Sequence, residues 1–440
     1  MTAEPTPDDI DDFFSTARVI GRAGAIELPQ GDYLEFLYDH DDPVLAGGRG
    51  LDFEEFAEDR NQAPFLQELL AYWDGLYREP FVGITTDGAV QEGLYPLSDQ
   101  TGQTPDAAAL VTAAEKVLAT LTPEQLEQFR YPVDAPEWRA WSNPEFVIYA
   151  VGLRLERLSF DAVEAILEMV RASLSPEGFE RVREAMALNG FLGELVDLPA
   201  IMNEQSYWVA LYGTPSTDAA WGWQLFGHHV ALNFVSVGGR HVIAPVFLGA
   251  EPALSDADHP PLFGAREQLA LSLAASLDAE QREVAVVYES VLDPTMPADR
   301  LHPADERHVA GAFRDNRVIP YEGINAGHLT EHQRGLLNAI VEDFLLLLVA
   351  DQRAATLADV DAHVDDTWFS WYGATDGSQP FYFRIQSPVI IAELDHHAGV
   401  WLNNRLPARF HVHTTLRLPN GNDYGKAYIA QIGNGASSDR

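Results

Sequence analysis

The 440-residue chain has no cysteine and only two lysines, Lys116 and Lys426. The first absence excludes disulfides, thiolate metal ligands and a cysteine nucleophile. The second leaves arginine as almost the whole basic complement, and 28 basic residues face 67 acidic ones for a formal net charge of -39. Clusters of Lys and Arg are missing, so no nucleic-acid partner is expected, and the charge argues equally against an anionic membrane. Long apolar runs are missing too. The longest aliphatic stretch, Phe344 to Val349, is far too short to cross a bilayer. The N-terminal MTAEPTPDDIDDFF has neither the basic start nor the apolar segment of a secretory signal, so the expected location is the cytoplasm. HExxH, GxSxG, the P-loop and a glycine fingerprint opening a helix are all absent, which leaves the zinc protease, serine hydrolase, nucleotide and dinucleotide readings without support. No nucleotide cofactor is expected.

What is present is a chain able to fold on its own, with 46% hydrophobic and 10% aromatic residues. The acids are spread along its length rather than gathered in blocks, which fits a solvated surface better than a docking tail. In dilute buffer such an excess repels itself, but at 1 M salt the Debye length falls to about 3 Å. The composition therefore reads as adaptation to strong salt.

Hydrophobic spacing predicts an α+β fold. Helical patterns cover about Ala107 to Leu121, Asp161 to Leu174, Phe179 to Leu195, Arg266 to Ser276 and Thr330 to Asp351, with capping-box spacing at Thr122/Gln125 and Thr330/Gln333 and a weaker start at Ser175. Two segments, about 207–248 and 368–429, are rich in Val, Ile, Phe, Tyr and Trp and broken by glycine; they are expected to share one sheet. No linker divides the chain. An acidic arm over 1–20, one compact domain over 21–430 and a flexible tail over 431–440 are the expected divisions, the domain being one unit or two closely joined lobes.

Histidine carries the clearest chemistry. In RFHVHTTLRL, alternation along a strand puts His411 and His413 on one face, where two imidazoles can converge on an ion such as Zn, Fe or Cu. In WGWQLFGHHVALNF, read as a continuous strand, only one of the adjacent pair can join them; His229 is favoured, with His228 as alternative ligand or core residue. Glu393 interrupts the apolar run PVIIAEL and needs a partner, which a metal ion, Arg384 or Arg417 would supply. His396 and His397 sit in an acidic, glycine-ended context that reads as loop. The flanking Trp221, Trp223, Trp368, Phe369, Trp371, Tyr372, Phe381 and Tyr382 form either core or the wall of a ligand pocket.

An ordered series of motifs, FVGITTDG, APEWRAW, LNGFLGEL, YGTPS, WGWQLFGHHVALNF, APVFLGAEP, WFSWYG, FYFRIQSPVIIAEL, HVHTTLR and NDYG, resembles the bacterial and fungal proteins grouped as domain of unknown function 3500. The resemblance implies that His228, His229, Glu393, His411, His413, Arg417 and Asp423 belong to the family's pattern; it implies no reaction. The expected function is a mononuclear metal-dependent enzyme acting on a small molecule, by hydrolysis or oxygen chemistry. His229, His411, His413 and Glu393 would hold the ion, with Arg417, Arg384 or Asp423 about the substrate. The alternative is a non-catalytic small-ligand-binding protein whose histidines are structural.

Overall fold

Side-chain caps start the main helices near the positions the sequence marks. In the computed structural model, which describes residues 28, 31–97, 107–146, 148–255, 260–297, 300–302 and 304–435, Thr122 and Gln125 form a reciprocal capping box, as do Thr330 and Gln333. The acidic arm expected over 1–20 lies outside the described residues. Helices span Ala107–Thr120, Phe160–Ser173, Pro176–Leu195, Gly264–Ser276 and Glu331–Phe344. The helix expected to run from Thr330 to Asp351 stops early. Leu345–Leu347 forms a 3-10 turn, and a new helix starts at Ala350. The freed carbonyls of Leu346 and Leu347 accept hydrogen bonds from the Ser175 hydroxyl and N–H, so one cap serves two elements. Gly178 permits this contact, since a Cβ there would lie 2.7 Å from Leu347 Cα.

The strands are β1 (Arg130–Tyr131), β2 (Leu153–Arg154), β3 (Tyr207–Gly213), β4 (Trp221–Gly227), β5 (Val230–Val237), β6 (Arg240–Ala250), β7 (Val286–Tyr288), β8 (Ile324–Asn325), β9 (Trp368–Tyr372), β10 (Tyr382–Gln386), β11 (Ile391–His396) and β12 (Val412–Arg417). All twelve join one sheet, with spatial order β1-β3-β4-β5-β6-β12-β11-β10-β9-β7; β2 pairs with β3, and β8 with β9. The two strand-rich segments therefore do share a sheet, through the antiparallel seam that pairs Val412 with Ala250 and Leu416 with Val246. The second segment is shorter than expected. It ends at Arg417, because Asn420, Gly421 and Tyr424 take positive φ and turn the chain into a helix at Lys426–Gly435. Positions 431–435 are thus helical rather than tail; 436–440 lie outside the described residues. Among the described residues no helix is long and apolar enough to cross a membrane.

The sheet's two faces differ in kind. Register places Leu394, Thr414, Leu248, Leu232 and Phe383 on one face, where Trp371 stacks on Phe381 and Phe383, and Trp223 on Phe234. These aromatic side chains are core. The opposite face carries Glu393, Asp395, His413, Thr415, Arg417 and Arg384. Across much of that polar face lies an irregular segment, 305–322, whose backbone the sheet's side chains satisfy: Glu393 accepts from the N–H groups of Val309 and Ala310, Arg417 donates to the carbonyls of Ala310 and Gly311, and Gln386 to that of Ile319. A buried coil would otherwise leave these groups unpaired.

Candidate metal centre

At one end of the polar face the histidines converge. His413 lies on β12 and His411 just before it; their Nε2 atoms are 3.0 Å apart. His228 and His229 are not on a strand. They form the two-residue turn between β4 and β5, and His229 adopts φ +63°, a left-handed conformation that costs a non-glycine residue about 1 kcal/mol or more. The turn is held by His229 N–H donating to Asn143 Oδ1 at 3.1 Å and by Gly249 N–H donating to the His229 carbonyl at 2.8 Å. It carries the His229 ring to 5.5 and 5.1 Å from the rings of His411 and His413. Gly249 leaves room for this, since a Cβ there would lie 2.8 Å from the His229 ring and 2.9 Å from that of His413.

One ring nitrogen from each of His229, His411 and His413 lies within 4.8 Å of the other two. All three residues are buried, and burial, helped by the neighbouring imidazoles, lowers their basicity: His411 to about 4, His229 and His413 well below the usual histidine value. At neutral pH they are uncharged, the form that binds metal. The tautomer of His411 is set. Its Nδ1–H donates to the Ala398 carbonyl at 2.7 Å, which aims the Nε2 lone pair at His413. Two nitrogens bound tetrahedrally to one ion at about 2.0–2.1 Å sit about 3.3 Å apart, close to the 3.0 Å between those of His411 and His413.

His228 stands behind the set, stacked on His229 at 3.8 Å with Nδ1 2.8 Å from Asn189 Oδ1. Glu251 stands behind His411. One of its carboxylate oxygens accepts from the N–H groups of Val400, Trp401 and Leu402, while the other is buried without a hydrogen-bond partner, 3.9 Å from His411 Nδ1; burial raises its pKa to about 7. His397 packs on His413 with ring centroids 3.9 Å apart. A second group, Glu306, Asp395 and His397, also brings three ligand-type atoms together, but both carboxylates are paired with the Arg307 guanidinium. That group is a buried ion network, not a vacant cage.

Glu393 is not brought to the imidazole set. Its oxygens are taken by the two loop N–H groups and by the Tyr382 hydroxyl at 2.9 Å. Arg384 pairs with Glu322 at 3.1 Å and donates to the Pro320 carbonyl. Arg417 makes four hydrogen bonds, including pairs with Asp315 at 2.8 Å and Asp423 at 3.1 Å. Asp423 in turn accepts from Leu418 N–H, so these positions hold the fold around the polar face. His396, expected in a loop, ends β11, while His397 lies just beyond the strand; both are buried. The signal for His397 was available: Glu393, Asp395 and His397 continue the alternation of β11. Glu251 left no such trace, because the amides it caps come from a segment about 150 residues away.

The fold and site define an α+β protein with a buried three-imidazole centre on one face of a large, mostly antiparallel sheet. A family model described as protein of unknown function (DUF3500) matches residues 103–426, and the chain belongs to that family. The matched region contains every histidine of the centre. Neither the curated proteins nor the solved structures yield a match.

Proposed function

We propose that the protein is a metal-dependent enzyme acting on a small molecule, with a divalent transition metal ion held by His229, His411 and His413. The observation that carries this reading is the convergence of three buried, neutral imidazoles, two of them with their Nε2 atoms 3.0 Å apart. An ion held by three imidazoles keeps a position open, and Zn, Fe or Cu there supplies a Lewis acid for hydrolysis or, with Fe or Cu, a redox centre for oxygen chemistry. The chain's own groups support binding: Ala398 orients His411, Asn143 and Gly249 hold the His229 turn, and Asn189 orients His228. His228 also lines a small cavity with Ser142, Glu145 and Arg154.

A second reading, a non-catalytic protein whose histidines are structural, draws support from the depth of the site: His413, the most exposed of the three, is 5% exposed. The test is elemental analysis of protein purified without chelator in high salt, beside the His411→Ala/His413→Ala variant. About one equivalent of transition metal is expected, lost in the variant. Less than a tenth of an equivalent would sink the proposal. Metal that stays bound with no turnover on any small-molecule substrate panel would favour the structural reading. The acidic, lysine-poor composition supports a further part of the proposal, that the protein works in strong salt in the cytoplasm, without nucleic-acid or membrane partners.

A further inference from the structure

On the sheet's apolar face, away from the histidines, three helices meet over the seam between β6 and β12. Arg181 on Pro176–Leu195, Arg266 on Gly264–Ser276 and Asp343 in the last turn of Glu331–Phe344 come together there. Arg181 Nη1 lies 3.0 and 2.9 Å from the two Asp343 carboxylate oxygens, and Arg266 Nε donates to one of them at 2.7 Å. Two guanidinium groups thus share one carboxylate. The neighbouring acid Glu267 does not restore the balance, because its carboxylate is taken by Arg409 and His396. The C-terminal end of the Asp343 helix offsets part of the surplus, roughly half a charge, through the Asp343 carbonyl that accepts from Arg266 Nη2 at 3.2 Å. The face of Phe344, 3.7 Å from the Arg266 guanidinium carbon, offsets a little more.

Arg266 is 2% exposed, and its Nη1 is buried without a hydrogen-bond partner. A cavity of about 10 Å³ adjoins it, lined by Arg181, Arg266, Asp343 and Thr414 with apolar walls that include Leu248 and Phe344. An unpaired charged donor in such a place costs more than a neutral one. Something must answer it. The Thr414 hydroxyl donates to the Leu248 carbonyl at 2.8 Å and makes no hydrogen bond to Arg266 Nη1. The cavity admits about one water-sized occupant, which excludes sulfate, phosphate and carboxylates.

We propose that this cavity is a binding site for a single monatomic anion, chloride, held between Arg266 Nη1 and Arg181. The anion neutralises the residual positive charge and ties three helices to the seam that joins the two halves of the sheet. A weak site suffices in concentrated chloride, because occupancy depends on the ratio of ligand concentration to Kd. The inference is independent of the metal reading and survives its failure.

Two measurements test it. In crystals of the full chain exchanged into bromide, an anomalous peak is expected within hydrogen-bonding reach of Arg266 Nη1; a water there, with no anomalous signal, overturns the proposal. In solution, unfolding is followed in potassium chloride and in potassium acetate at equal ionic strength. With chloride at about nine times its Kd the unfolding constant is expected to drop about tenfold relative to acetate. Arg266→Met should abolish most of that difference. An equal chloride effect in wild type and variant refutes the assignment, and if the variant does not fold, the bromide map decides alone.

Discussion

His229 sits in a left-handed backbone conformation that is usually left to glycine, and the strain is maintained by hydrogen bonds to Asn143 and Gly249. That single torsion turns its ring toward His411 and His413. The convergence of His411 with His413 was legible from spacing alone, since alternate residues on an extended chain share a face. The reason for preferring His229 over His228 was not, because strand alternation does not apply to a turn. Burial acts on these side chains as much as geometry does. His241, remote from the centre, isolates that effect: burial alone pulls it from 6.5 down to about 4. Between those values the unfolded chain holds a proton that the folded chain lacks, so stability rises with pH across the window and falls on acidification, by up to about 1.4 kcal/mol per pH unit. His241→Gln is therefore expected to flatten the pH dependence of stability between pH 6.5 and 4. Urea unfolding at constant salt measures it, and an unchanged slope would show that His241 is not buried as a neutral ring.

At the scale of elements, the polar face of the sheet works as a template for a coil. Segment 305–322 makes little regular structure of its own, and its backbone groups are answered by side chains from β10, β11 and β12. Glu393 reads in the sequence as a metal ligand because a lone acid among apolar residues demands a partner. Its partners prove to be the Tyr382 hydroxyl and two amides from 84 and 83 residues away, and no local pattern reveals those amides. Glu393→Gln should then leave metal content unchanged while lowering stability by about 1–3 kcal/mol, since an amide cannot accept on both sides. Paired metal analysis and denaturant titration check both halves, and loss of metal with intact stability would return Glu393 to the ligand set. The break in the helix expected through Asp351 has a similar origin. Its apolar pattern runs on, but Ser175, from another helix, captures the carbonyls at Leu346 and Leu347.

At the scale of the molecule, the excess of acid among the described residues lies outside the core. Asp161, Glu164, Glu168, Glu177, Glu180 and Glu184 line the exposed faces of two neighbouring helices whose inward faces are apolar. Lys116 pairs with Glu168. Mutual repulsion across such a surface is screened when the Debye length shrinks to about 3 Å at 1 M salt. Lowering potassium chloride from molar to dilute is expected to destabilise the fold, read as a falling melting temperature by circular dichroism. Equal heat stability throughout would remove the salt-adaptation reading.

Composition, periodicity and capping determined that this chain is an acidic α+β protein, where most helices begin, that two distant segments pair in one sheet, and that His411 and His413 face one point. These are properties of residues close in sequence, or of the chain's whole composition, and they persist in any fold that buries the apolar pattern. Which acid meets which donor was decided only by tertiary structure. The burial of His397, the partners of Glu393 and Arg417, the carboxylate behind His411 and the surplus guanidinium at Arg266 all depend on contacts between segments far apart in the chain. Their desolvation has no local signature, and it is that desolvation which sets the chemistry of each group.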